Sequence, residues 1–202
     1  SDVYKRQVVI GAGPAGLVAA LELARYGYRP LLLERGKKIA ERVDDVQRFW
    51  KKGEFDPNSN VQFGEGGAGA YSDGKLTTRI NDPLSEFVLR TFVQHGAPKE
   101  ILYQAKPHIG TDILKQVVRS MREDIVRMGG EVRFGCTLTG IVQRSGVLVG
   151  ARADGQDIAC ERLILAIGHS ARDTFVDLHG QGVYFEPKPF SVGARIEHLQ
   201  QQ

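Results

Sequence analysis

The sequence is poor in cysteine, with Cys136 and Cys160 the sole two in 202 residues. Two thiols cannot build a disulfide framework, which excludes a small secreted scaffold and fits a reducing, cytoplasmic compartment. Their wide separation matches no redox Cys-x2-Cys or Cys-x4-Cys pair, so both read as core thiols on strands. Long apolar runs are also lacking. No stretch approaches the ~18 residues that a transmembrane helix needs, so no membrane partner is expected. Neither sign of charge dominates: 27 Lys and Arg against 24 Asp and Glu leave +3, too even a balance to suggest nucleic acid. No His, Cys, Asp or Glu cluster has metal-ligand spacing, so no metal is expected. His108 and His169 fall in loops at element ends and read first as structural hydrogen-bonding residues.

What is abundant is glycine, 24 residues or about 12% where roughly 7% is usual. Its placement follows a recognisable order of elements. The opening SDVYKRQ is polar, unlike a secretory leader, and fold reasoning starts near residue 7. Gln7 to Ile10 is a short apolar strand. Gly11 to Gly16 follows directly, and Pro14 suits a first helical position because its missing N–H costs nothing there. Leu17 to Tyr26 reads as a helix closed by Gly27, and Pro30 to Glu34 as a second strand buried on both faces. This strand–helix–strand unit implies a parallel sheet.

Ile39, Val43, Val46, Phe49 and Trp50 recur at helical spacing over about 38–52. Residues 53–75 are loop-like and carry GEGGAGAYSDGK. Asp82-Pro83 opens a helix through Leu84, Phe87, Val88 and Phe92. Thr111 caps another with Ile113, Val117, Met121, Ile125 and Met128 on one face. The period then changes to two. Glu131–Phe134 is a strand. Thr137–Arg144, Val147–Ala153 and Gln156–Cys160 form an antiparallel meander turned at Ser145-Gly146 and Asp154-Gly155. Arg162–Ile167 is a buried apolar strand ended by Gly168.

Gly11-Ala-Gly13-Pro-Ala-Gly16 is a G-x-G-x-x-G sequence placed after a strand and opening a helix. Gly11 permits the tight turn, Gly13 lets a pyrophosphate approach the backbone, and Gly16 lets the helix pack closely on the sheet. Pro14 and Ala15 complete the helix N-terminus, whose free N–H groups favour a diphosphate. Glu34 ends the second strand, where a carboxylate can take the ribose hydroxyls of an adenosine. Arg35 reads equally as an adenosine contact or as a solvated charge. Glu34 would repel a 2′-phosphate, which favours a plain adenosine dinucleotide, NAD or FAD.

The second glycine cluster and the meander separate these two, because NAD-binding domains usually return with further β-α units. On VVIGAGPAGL, LLLERG, VQFGEGGAGAYSDGKL, KPHIGTDIL, LILAIGHSARDTF and KPFSVGARIEH, the chain resembles the FAD-dependent oxidoreductases of the two-dinucleotide-binding-domain superfamily. More closely, it resembles a bacterial group of FAD-dependent dehydrogenases. The resemblance runs from about Gln7 to His198. It implies that the loop matching Gly66–Lys75 lies against the ribityl and isoalloxazine part of a non-covalent FAD. Gly66, Gly67, Ala68 and Gly69 would offer backbone N–H groups, and Ser72 and Asp73 hydrogen-bonding side chains. Lys75 reads either as a counter-charge to reduced flavin or as a solvated lysine. The adenine is expected on the strand Thr137–Ile141, with Leu138 the first contact. The strand-end motif, commonly Ala-Thr-Gly, is Ala166-Ile167-Gly168 here; it loses a hydroxyl and keeps the glycine.

The expected architecture is α/β: a Rossmann-type FAD-binding domain over 7–174 with parallel sheet and inserted β-meander, then the start of a substrate domain over 175–202. The superfamily's late Gly-Asp or Gly-Glu return strand has no counterpart in residues 169–202, so the chain reads as a fragment. The resemblance implies hydride transfer through flavin N5 to or from a small-molecule substrate, with NADH or NADPH as a candidate electron donor. No catalytic acid or base stands out, and neither substrate nor oligomeric state is legible. Two alternatives remain at this level, a tRNA-modifying flavoprotein and a non-catalytic FAD-binding scaffold.

Overall fold

A computed structural model describes residues 7–71, 82–104, 108–189, 193–194 and 196–198. Four strands, β1 (Gln7–Ile10), β2 (Leu31–Leu33), β3 (Glu131–Arg133) and β7 (Arg162–Leu165), form a parallel sheet in the order β3-β2-β1-β7. Helix α1 (Pro14–Arg25) makes the crossover from β1 to β2. Between β2 and β3 run α2 (Ile39–Lys52), α3 (Pro83–Gln94) and α4 (Thr111–Arg127). Between β3 and β7 the chain forms an antiparallel meander of β4 (Leu138–Arg144), β5 (Val147–Ala153) and β6 (Gln156–Ala159). A last helix, α5 (Arg172–Gly180), follows β7.

The sheet is the middle of three layers, because alternate residues of each strand feed two different cores. Val9 and Leu32 point to one face, where they pack with Leu17 and Leu21 of α1, Phe92 of α3 and Val117, Met121 and Ile125 of α4. Val8, Ile10, Leu31 and Leu33 point to the other, against Leu138, Ala151 and Ala153 of the meander and Leu178 of α5. All three leucines of β2 are fully buried, as a strand with elements on both faces requires. Both meander turns are two-residue turns with left-handed pairs: Ser145 and Gly146 at φ 51° and 76°, Asp154 and Gly155 at 49° and 73°. That geometry matches the twist of the strands it joins.

Three expectations need correction. Gly110, not Thr111, caps α4, and no side chain closes that cap; Thr111 is already the first helical residue. The strand over 162–167 is shorter and less buried than its apolar run implies. As β7 it pairs with β1 alone among the described residues, and Ile164 and Leu165 remain 37% and 40% exposed. The apolar stripe of α2 is buried only in part: Ile39 and Val46 are buried together with Arg42 and Asp45, whereas Phe49 and Trp50 are exposed. That helix covers a polar loop instead of the sheet, so its inner face carries charge. Residue 175 lies inside α5, and Leu178, Val183 and Phe185 join the sheet–meander core. No helix among the described residues is long and apolar enough to cross a membrane.

The first glycine loop is a packing device in its own right. A Cβ on Gly16 would sit 1.8 Å from the carbonyl oxygen of Gly11, whereas a Cβ on Gly13 would meet nothing nearer than the Cα of Gly67 at 3.8 Å. Gly16→Ala should therefore force α1 off the sheet and cost about 1–3 kcal/mol or more, lowering Tm by roughly 2–12 °C. Gly13→Ala should leave Tm nearly unchanged. Thermal melts of the two variants check the contrast, and equal shifts would contradict it.

Candidate functional site

The strands β1, β2 and β7 end side by side, and the chain leaves β1 toward β2 on one side while β7 lies on the other. Such a switch of direction opens a crevice at the carboxyl ends of the strands, the usual ligand position in an open α/β sheet. A cleft of about 260 Å³ lies there. One wall is the loop after β1, with Gly11, Gly13, Pro14 and Ala15; another is Glu34 and Arg35 after β2. Ala166 and Gly168 after β7 and Leu138 at the start of β4 close the far side, and Gly67 and Ala68 lie opposite Gly13.

The sequence candidates thus divide into three groups. Those just named meet in one cleft although they are up to 157 positions apart in the chain (Gly11 to Gly168). Gly16, Gly66 and Gly69 do not line it. Gly16 packs on Gly11, Gly66 donates its N–H to Ala12 O at 2.8 Å, and a Cβ on Gly69 would face Pro14. Ser72, Asp73 and Lys75 lie outside the described residues. Sequence reasoning passed over Gln62, Phe63, Ser170 and Thr174, which also line the cleft, as does His169, read first as a structural hydrogen-bonding residue. Ser170 donates to Gln62 Oε1 at 3.0 Å, tying the loop after β7 to the loop after α2. No spacing rule could have found these, since they come from segments without a periodic pattern.

Helix α1 begins at the cleft. Gly13 is its N-cap without a side-chain cap bond, and Pro14 occupies the first turn, so first-turn N–H groups are left to a ligand or solvent. Glu34 is 5% exposed and works harder than a ribose acceptor alone. Its Oε2 accepts from Ala12 N at 2.7 Å, and its Oε1 from Gly36 N at 2.8 Å and Gly64 N at 3.0 Å. A carboxylate offers about four acceptor positions, so roughly one remains for a ligand hydroxyl. Arg35 is not solvated. Its guanidinium bonds Asp173 at 2.7 Å and Thr174 Oγ1 at 3.2 Å, and lies 4.4 Å from the Phe63 ring centroid.

The loop carrying Phe63, Gly64 and Gly67 owes its shape to Arg42, which is fully buried. Its Nε donates to Asn60 O at 2.8 Å, and its Nη1 to Glu65 O at 2.7 Å and Gly67 O at 2.9 Å. The guanidinium rests 4.7 Å over the Tyr71 ring. Burial pushes Arg42 down to about 10, while Tyr71, Glu34 and Glu65 pull the other way. Glu65, also fully buried, accepts from Ile39 N at 2.7 Å and from Arg122 Nε at 2.6 Å. Asp45 pairs with Lys37 at 2.8 Å and with Arg48. Burial would raise Asp45, but the bonds from Lys37, Ser59 and Arg48 hold it below the usual carboxylate range. Both cysteines are free and buried, as the sequence suggested, but neither lies on a strand: Cys136 sits between β3 and β4, where it lines the cleft, and Cys160 follows β6.

Residues 5–195 match the family model described as pyridine nucleotide-disulphide oxidoreductase. The chain belongs to that family. A protein of Clostridium beijerinckii, described as uncharacterized, is 52% identical over 200 residues, covering 99% of this chain and 38% of its own length. The FixC protein of Salmonella typhi is 27% identical over 172 residues, covering 80% of this chain and 36% of its own. The chain therefore spans less than half the length of these curated relatives. Among solved structures, THI4 of Thermovibrio ammonificans superposes with a TM-score of 0.57 at 18% identity, covering 89% of this chain and 64% of that one. Glycine oxidase of Bacillus cereus gives 0.54 at 12% identity, with 84% and 58% covered. These two likenesses are likenesses of fold. Despite the family's description, no disulphide joins the two described cysteines.

Two outcomes follow from this geometry. Arg42→Met strands at least three buried carbonyls at roughly 1–3 kcal/mol each, so Tm should fall by about 6 °C or more and limited proteolysis should cut within 56–67. A loop as protease-resistant as in the parent protein would contradict that role. Cys136, raised to about 11 by burial and by the neighbouring Asp154, should also react slowly. Two pH units mean about 100-fold less thiolate, offset in part by higher nucleophilicity, so folded Cys136 should label about tenfold slower than the unfolded chain at pH 8. Because its pKa is raised on folding, its contribution to stability is complete below the unfolded value and is lost as pH rises toward 11.

Proposed function

We propose that the full-length protein is an FAD-dependent oxidoreductase whose cleft holds the adenosine-diphosphate part of a non-covalent FAD. The observation that carries this reading is the open position at Gly13. A Cβ there would sit in the cleft at the uncapped end of α1 without a clash, its nearest neighbour the Cα of Gly67 at 3.8 Å, which is where a diphosphate needs room and N–H donors. The remaining residues fit the same group. Glu34 keeps an acceptor position for a ribose hydroxyl, and Leu138 offers an apolar edge for an adenine. The meander between β3 and β7, where an NAD domain usually continues with β-α units, favours FAD over NAD.

FAD would supply hydride transfer at its isoalloxazine ring, from NADH or NADPH or from a small-molecule substrate. The residues described here bind and orient: the loop after β1 takes the diphosphate, Glu34 the ribose, and the 60–67 loop excludes water from one side. Denaturing the purified full-length protein should release FAD, identified by its absorbance and chromatographic retention. FMN, or no flavin, would overturn the reading. Gly13→Val should fold with a near-parental Tm and yet lose flavin, because the side chain fills the diphosphate's space; a normal flavin-to-protein ratio in that variant would place the phosphates elsewhere.

A further inference from the structure

We propose that Asp173, which does not line the cleft, is a positioning residue that makes the site reject a 2′-phosphorylated adenosine by neutralising Arg35. This rests on the reading of the cleft as an adenosine dinucleotide site. Among the described residues lining the cleft, Arg35 is the one side chain with a permanent positive charge, and it adjoins Glu34 at the ribose end. An arginine in that place would ordinarily favour a 2′-phosphate. Here its charge is committed elsewhere. The guanidinium is drawn to Asp173 Oδ2 at 2.7 Å and Thr174 Oγ1 at 3.2 Å, with its flat face on Phe63 at 4.4 Å.

The arrangement is built from three separate segments, which distinguishes it from a chance surface pair. Arg35 follows β2, Phe63 belongs to the loop tied down by Arg42, and Asp173 and Thr174 form the first turn of α5. The Arg35 side chain is 11% exposed, so its orientation is set by packing as well as by charge. Asp173 is itself oriented, since its Oδ1 accepts from Thr174 N at 2.9 Å. Partial burial would raise Asp173, but the bonds from Arg35 and from the Thr174 backbone outweigh it and hold the carboxyl ionised. The ribose end of the cleft therefore carries two carboxylates around one guanidinium. A ribose with free hydroxyls finds an acceptor in Glu34, whereas a dianionic 2′-phosphate finds net negative charge.

The test compares ADP-ribose with 2′-phospho-ADP-ribose, which differ by that phosphate alone, in calorimetric titrations of the full-length protein freed of bound flavin. The parent protein should prefer ADP-ribose by about tenfold or more at low salt, and the preference should shrink as salt screens it. Asp173→Asn keeps the size and an acceptor oxygen but frees the charge of Arg35. It should reduce the preference about tenfold while leaving the Kd for ADP-ribose within about threefold. Asp173→Glu, which retains the charge, should keep most of the preference. An unchanged ratio in Asp173→Asn overturns the proposal and leaves the nucleotide reading standing. A loss of ADP-ribose binding in Asp173→Asn also overturns it, by showing that Asp173 merely holds the site together. Failure of both ligands to bind the parent protein would remove the nucleotide reading and this proposal with it.

Discussion

The buried guanidinium of Arg42 is the interaction on which the cleft depends. The stretch from 53 to 67 has no helix or strand, and a loop of that length would ordinarily be mobile. Its carbonyl groups are satisfied instead by Arg42, through Asn60, Glu65 and Gly67. Two carboxylates serve the complementary need for acceptors: Glu34 takes the N–H of Gly64, and Glu65 takes the N–H of Ile39. Side chains thus do for this loop what a neighbouring strand would do in a sheet.

Burying that much charge has a cost, and the shape of α2 reflects it. Backbone oxygens take the Nε and Nη1 donors of this guanidinium and the Tyr71 ring covers its face, which offsets part of that cost, while Nη2 is buried without a partner. The helix that supplies Arg42 must turn a polar face inward, which leaves Phe49 and Trp50 outside. Phe49 packs edge-on against Phe55 and Trp50 against Tyr71, so the displaced aromatics still shelter one another. The same network sets the position of Phe63, the plate on which Arg35 lies. In this way a buried arginine in α2 reaches the chemistry at the end of β2 through one intervening loop.

Glu34 joins the two glycine loops. By accepting from Ala12 on one side and Gly64 on the other, it fixes the width of the cleft between them before any ligand arrives. Preorganisation of this kind lowers the entropy lost on binding. The meander and α5 complete the enclosure from the opposite direction, and Gln181 anchors them by accepting from Ile141 N at 2.8 Å and donating to Thr139 O at 3.1 Å.

Periodicity and glycine placement determined a large part of this protein by themselves. The β1–α1–β2 unit, the two meander turns and the G-x-G-x-x-G loop at the head of α1 are local features. They depend on residues within a few positions of one another, where propensity and steric limits decide. The resemblance to FAD-dependent oxidoreductases, not periodicity, singled out Gly11, Glu34, Leu138 and Ala166 together, and the strand order was left to the tertiary structure. Other features were decided by the tertiary structure alone. Arg35 looked like either a ligand contact or a solvated charge, and its partner Asp173 stands 138 positions away. Arg42 had the pattern of a surface residue on an amphipathic helix and is fully buried against the 53–67 loop. The exposure of β7 depends on which strands flank it, not on its own apolar run. Charge pairing and edge position arise from segments far apart in the chain, so no local pattern carries them.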